Sequence, residues 1–203
     1  MKDRKLLFLP GASGNTSFWK PVADLLTAPG ERIHLGWPGF GPTPPDPAIG
    51  GLEDLVALVT AQIDSPTALI AQSMGGVIAL LSALEKPELV THLVLTATSG
   101  GMNLSDLGAQ DWRPAFHAAN PSLPLWFASY KVDLTEQLRT IRIPTLLLWG
   151  DADPISPPPV GERLASLLPC AEQHVIAGGT HDLANILAAQ VAPLIDKHLA
   201  CSG

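Results

Sequence analysis

Short, largely apolar runs recur along the chain: Leu6-Leu7-Phe8-Leu9, Arg32-Ile33-His34-Leu35, Ala68-Leu69-Ile70-Ala71, Leu93-Val94-Leu95-Thr96, Thr145-Leu146-Leu147-Leu148-Trp149 and His174-Val175-Ile176. Most lack the in–out alternation of a half-exposed strand, which predicts strands buried on both faces. Helical patterns lie between most of them. Phe18, Val22, Leu25 and Leu26 share one face, and Leu52, Leu55, Val56, Val59 and Ile63 form another stripe. Residues 77–84 read as a buried helix, and 161–168 and 183–199 supply two more. This alternation predicts an α/β fold, a parallel sheet covered by helices on both sides.

Residues 101–140 break the alternation. They contain no clear strand, yet Trp112, Phe116, Trp126, Phe127 and Tyr130 concentrate there. Such residues either pack a helical excursion onto the core or line an apolar pocket beneath a small cap. The cap is the expectation, with these five aromatics as candidate substrate-binding residues, because the excursion falls between two strands. The division predicted is a core of residues 1–100 and 141–203 carrying a short cap at 101–140.

At 203 residues, 46% of them hydrophobic, the chain makes one domain with a substantial core. Its net charge of −7 and lack of any long basic run argue against nucleic acid as a partner. Two cysteines, Cys170 and Cys201, support neither a disulfide framework nor a metal cluster. The apolar run after the basic N-terminus is too short for a secretory signal. The uncharged window 65–84 is interrupted by Pro66, Gln72, Ser73, Gly75 and Gly76, so a strand–turn–helix unit is expected there and not a membrane span. A cytoplasmic protein acting on a small molecule is expected; nothing in the sequence sets its oligomeric state.

The candidate chemistry starts at that window. Ser73 stands between a predicted strand and a predicted helix, flanked two residues away on either side by Ala71 and Gly75. A strand turning sharply into a helix brings the two backbones together, so only tiny side chains fit at those flanks. The residue at the apex is held exposed at the carboxyl edge of the sheet. A serine there is placed as a nucleophile, but its hydroxyl needs a base, usually a histidine oriented by a carboxylate. Of six histidines, His181 lies in the glycine-bearing loop after the last predicted strand, and such loops gather at the edge where Ser73 sits. Asp151 and Asp153 follow the preceding strand, and position alone leaves the choice between them open; either could instead cap a turn.

The order Ser, Asp, His, each after a strand, resembles the α/β-hydrolase superfamily over essentially the whole chain. Ala71-Gln72-Ser73-Met74-Gly75 is similar to its G-x-S-x-G elbow, with Ala71 for the first glycine. Gly150, Asp153 and Pro157 match its G-x-x-D-x-x-x-P loop, which favours Asp153, and Gly179-Thr180-His181 matches its Gly-x-His loop. Leu9-Pro10-Gly11-Ala12 falls where the family has a His-Gly turn, so the resemblance implies backbone N–H groups of Ala12 and Met74 as the oxyanion hole. Trp37-Pro38-Gly39-Phe40-Gly41 is similar to its Pro-Gly-x-Gly loop, with Gly36 where an aspartate is usual; a tight turn is expected there.

The resemblance implies a three-layer α/β-hydrolase fold with about six parallel strands, helices on both faces and a short helical cap. It also implies a Ser73–His181–Asp153 triad needing no metal or organic cofactor. Ala71 adds a methyl that should relax the elbow slightly, and Pro10 removes a polar group, so the oxyanion turn must be held differently. A serine nucleophile excludes the aspartate-dependent dehalogenase and epoxide hydrolase chemistries of this fold. The activity expected is carboxylesterase-like cleavage of a small, mostly apolar ester through an acyl-enzyme. The alternatives are a carbon–carbon bond hydrolase, thioesterase or lyase using the same triad, or a non-catalytic ligand-binding pseudoenzyme.

Overall fold

A computed structural model describes residues 4–124 and 126–201. Six strands form one wholly parallel sheet: β1 (Lys5–Leu9), β2 (Glu31–His34), β3 (Thr67–Gln72), β4 (Val90–Thr96), β5 (Thr145–Gly150) and β6 (Ala171–Ile176). Their spatial order is β2-β1-β3-β4-β5-β6. All six overlap the predicted strands, and β4 and β6 each gain three residues at their start. Ala171-Glu172-Gln173 was not legible as strand because β6 is an edge strand, whose solvent-facing positions need not be apolar.

Successive side chains of a strand point to opposite faces, which divides the core in two. Leu7, Leu9, Leu69, Ala71, Leu93, Leu95, Leu147 and Trp149 face one side and pack with α2 (Leu52–Thr60), α3 (Met74–Glu85) and α7 (Pro158–Leu167). Leu6, Phe8, Ala68, Ile70, Val94, Leu146 and Leu148 face the other and meet α1 (Lys20–Leu25), α8 (Leu183–Ile186) and α9 (Ala188–Ala200). The single helix expected at 183–199 is thus two. The chain pivots at Leu187 (φ −107°, ψ 34°), and Leu183 before the pivot and Val191 after it are both fully buried.

Between β4 and β5 lie three short helices, α4 (Arg113–Ala119), α5 (Trp126–Ser129) and α6 (Thr135–Leu138). The C-terminal helix is tied to the opposite, amino edge of the sheet. There Arg4 Nη1 donates to the carbonyl of Leu199 at 3.0 Å, and His92 Nε2 donates to that of Cys201 at 3.0 Å. The rings of His92 and His198 meet edge to face, 5.1 Å apart. Among the described residues no helix is long and apolar enough to cross a membrane.

Candidate active site

The site lies at the carboxyl edge, where the loops after β1, β3, β5 and β6 converge. Ser73, between β3 and α3, has φ 54° and ψ −120°, a strained conformation for a residue with a side chain. Such strain costs about 1–3 kcal/mol and persists only where the surroundings over-determine it. Here the Ser73 N–H donates to Thr96 O (3.0 Å), and the Ser73 carbonyl accepts from Thr98 Oγ (2.7 Å) and Gly76 N (3.0 Å). Gly75 is required by close approach: a Cβ there would lie 2.5 Å from Pro10 O. Ala71, in register between Leu9 and Leu95, is fully buried and its methyl joins the core. Ser73 keeps its strained geometry with Ala71 in place of the glycine.

His181 spans the other two groups. Its Nδ1–H donates to Asp153 Oδ2 at 2.9 Å, and in that tautomer its bare Nε2 accepts from Ser73 Oγ at 3.1 Å. The Asp153 side chain is 0% exposed, and its other oxygen accepts the N–H of Ile155 at 2.9 Å. One oxygen is thereby fixed in the loop and the other is aimed at the imidazole. Asp151 does something different: its Oδ1 accepts the N–H of Gly178 at 2.7 Å, clamping the loop after β5 to the loop after β6. The two loops touch backbone to backbone, since a Cβ on Gly150 would run into the carbonyl oxygen of Gly179. Gln72, buried at the end of β3, adds a bond from Nε2 to the His181 carbonyl at 3.3 Å.

The turn after β1 abuts Ser73, because a Cβ on Gly11 would lie 3.0 Å from Ser73 Cβ. Ala12 is the next residue. Met74 opens α3, where its N–H has no carbonyl four residues back within the helix to bond. With Pro10 in place of a polar side chain, two tryptophans hold this turn. Trp37 Nε1 donates to the carbonyls of Pro10 (3.0 Å) and Gly11 (3.1 Å), and Trp19 Nε1 to that of Leu9 (3.0 Å). Both indoles are essentially buried. Sequence reasoning missed them; the only available signal was a tryptophan opening the 37–41 loop.

A cavity of about 690 Å³ opens over Ser73, Met74 and His181. Of the five aromatics predicted to line a pocket, Trp112 and Tyr130 do so. Phe116, Trp126 and Phe127 do not, and neither does Ala12. Phe127, fully buried, is the hub of an aromatic cluster instead, with ring centroids 5.4 Å from Phe40, 5.7 Å from Trp112 and 6.0 Å from Phe116. Trp126 packs on Phe40 at 5.7 Å. A crowded aromatic segment reads the same whether its rings face a cavity or one another; here Phe40, from the loop after β2, supplies the surface that Trp126 and Phe127 cover, and Phe116 packs on Phe127. The cavity wall also holds charges that an apolar pocket would lack: Asp111, Arg113, Lys131 and Asp133.

Comparison with known proteins agrees with the fold. The chain is 27% identical, over 87% of its length, to the polyketide synthase ThaQ of Burkholderia thailandensis, but the match spans only 11% of that much longer protein. It is 25% identical over 88% of its length to a pimeloyl-[acyl-carrier protein] methyl ester esterase of Edwardsiella ictaluri, covering 86% of that protein. The fold superposes on an alpha/beta hydrolase enzyme from a lagoon-sediment metagenome (TM-score 0.78, 21% identity, 96% of this chain and 90% of the other). It superposes equally on a thermophilic esterase from Thermogutta terrifontis (TM-score 0.78, 20% identity, 96% and 89%). The sequence profile of the alpha/beta hydrolase family matches residues 6–133, which include Ser73 and stop short of Asp153 and His181. With that match covering more than half of its length, the chain belongs to the alpha/beta hydrolase family.

Proposed function

We propose that the protein is a carboxylic ester hydrolase working through an acyl-enzyme on Ser73. The observation that carries this reading is the bridge His181 makes between Ser73 Oγ and a buried Asp153, at a strained strand-to-helix turn. In the first step Ser73 Oγ bonds to the ester carbonyl carbon while His181 Nε2 takes its proton. Asp153 holds the imidazole in the required tautomer and stabilises the imidazolium. The carbonyl oxygen becomes an oxyanion facing the N–H groups of Ala12 and Met74; a donor of this kind is worth roughly 3–4 kcal/mol in the transition state. The C–O bond to the alcohol breaks as His181 returns the proton to the leaving oxygen. Water, deprotonated by the same nitrogen, then attacks the acyl-enzyme, and Ser73 recovers its proton as the acid departs.

Residues 101–140 serve in this reading as a cap on a core of residues 1–100 and 141–203, with Trp112 and Tyr130 on its inner wall. The cavity is of the size that holds a small-molecule ligand. The esterase names of several relatives support a carboxylic ester with a small alcohol part and a mostly apolar acyl chain. A screen of short-chain p-nitrophenyl esters tests the reading. Turnover that disappears in Ser73→Ala is expected; no turnover of any ester by the wild-type protein contradicts it.

A further inference from the structure

The chain has six arginines; four of them donate hydrogen bonds and a fifth, Arg139, is ion-paired. Arg163 forks onto Asp106 at 2.8 and 3.0 Å, and Arg139 lies 3.9 Å from Glu136. Arg4, Arg32 and Arg142 bond the carbonyls of Leu199, Leu26 and Arg139. Arg113 is the exception: among the described residues its guanidinium reaches no carboxylate and no carbonyl. Among the described residues it is also the only Lys, Arg, Asp or Glu in the wall of the Ser73 cavity that is half-buried; the others are exposed. Its Nε is sealed from solvent without a partner. What holds it is aromatic. Its Cζ lies 5.1 Å from the Tyr130 ring centroid and 5.9 Å from that of Trp112, both residues of the same cavity wall.

A guanidinium stacked on two rings has lost part of its hydration and much of its freedom, so its remaining donors are pre-organised for a planar, two-oxygen acceptor. Nearby carboxylates do not take that place. Asp111 accepts the backbone N–H of Arg113, and Asp133 accepts the N–H and hydroxyl of Thr135; both carboxylates are exposed. The Thr135 bonds also hold the Asp133 carboxyl below its ordinary range, keeping it negative. With Lys131, the four charges of the wall cancel, so the cavity has no general pull on anions and the recognition is local to Arg113. Two negative neighbours also disfavour a doubly charged phosphate relative to a singly charged carboxylate.

We infer that Arg113 is a specificity residue that binds a free carboxylate on the far end of the substrate's acyl chain. The substrate class is then the half-ester of a dicarboxylic acid, with the ester at Ser73 and the carboxylate at Arg113. This rests on the ester-hydrolase reading for its chemistry, while the anion site itself can be tested without turnover.

Monomethyl adipate and monomethyl suberate, each paired with its neutral dimethyl ester, are titrated against Ser73→Ala by calorimetry, and methanol release from the same four compounds is measured with the wild-type protein. Ser73→Ala is expected to bind at least one monoester about ten-fold or more tightly than its dimethyl counterpart, the range of a charge-assisted hydrogen bond. Wild type should show the same preference in kcat/KM, carried by KM. Adding Arg113→Gln should bring the binding ratio to about one, and Arg113→Lys should restore part of it. Because each ratio is internal to one variant, partial unfolding lowers both of its members and leaves the ratio readable. Equal binding of monoester and diester by Ser73→Ala, or a preference that survives Arg113→Gln, overturns the carboxylate site while leaving the ester-hydrolase reading intact. A preference in binding with no hydrolysis of any of the four esters overturns the ester-hydrolase reading, and with it the half-ester substrate class.

Discussion

The two ends of the sheet both hold buried or half-buried histidines, and they put them to opposite uses. At the carboxyl edge His181 stands between a carboxylate and a hydroxyl, each within hydrogen-bond distance, and opens onto a cavity. At the amino edge His92 and His198 face each other; His92 Nδ1 and His198 Nε2 are buried without a partner. Burial, and then the neighbouring His92, push the His198 pKa from 6.5 down to about 4. The residue type is the same; what differs is the chain that surrounds it. Glycine-bearing loops deliver Asp153 to one ring, whereas a helix end and a strand start bring backbone carbonyls and apolar surface to the others. In the proposed mechanism one end moves a proton, while the other anchors the C-terminal helix.

Substitutions at the carboxyl edge should therefore alter chemistry, and the largest effect is expected there. Asp153→Asn should lower kcat on a p-nitrophenyl ester by about 10⁴-fold. Asp151→Ala, two residues away, should leave kcat within the same decade and remove only a loop hydrogen bond, about 1 kcal/mol in urea unfolding. The reverse outcome would mean that the two carboxylates have exchanged roles.

Phe127→Ala tests whether the contrast is one of position or of partners. Phe127 belongs to the segment over the carboxyl edge, yet it touches rings and no reacting group. A stability loss of about 3–5 kcal/mol is expected, read from the denaturation midpoint. A smaller loss would mean that the aromatic cluster does not fasten this segment to the core. Trp37→Phe comes next. It strips the donor from two carbonyls of the turn that carries Ala12, and about 1–3 kcal/mol of stability should go with it. A fall in kcat with little change in KM should accompany that loss, because in the proposed mechanism the turn faces the oxyanion; unchanged kcat would detach the turn from catalysis.

The smallest effect belongs to the amino edge. Folded, His198 stays neutral down to about pH 4, whereas in the unfolded chain it titrates near 6.5. The unfolded state takes up the proton first, so stability present above pH 6.5 declines as the pH falls towards 4. His92, lowered chiefly by burial, contributes with the same sign, and Glu172 weakly opposes the shift of His198. His198→Leu should flatten the dependence of the denaturation midpoint on pH between about 7 and 4 and leave ester turnover unchanged. An unaltered slope would remove this histidine from the anchor.

Much of this architecture is legible in the sequence where a single local constraint decides the outcome. The strands of the core are almost wholly apolar because both their faces are covered, and Ser73 is marked by small flanks that the close approach of Pro10 and Gly75 demands. Legibility fails where two distant segments decide together. Asp151 and Asp153 are equivalent by their place after β5; the resemblance singles out Asp153, but the clamp that Asp151 makes depends on the path of the 178–181 loop. The indoles of Trp19 and Trp37 replace a missing polar side chain through contacts across the chain, which local pattern does not record. Phe127 looks like a pocket residue until Phe40 is seen beneath it, and the polar start of β6 is hidden by its place at the sheet's edge.

The most direct test of the central claim is the rate at which a fluorophosphonate labels the intact protein, with the adduct located by peptide mass spectrometry. The account expects one adduct, on Ser73, forming orders of magnitude more slowly in Asp153→Asn and at nearly the wild-type rate in Asp151→Ala. Labelling at another residue, or a Ser73 rate indifferent to Asp153, would contradict it.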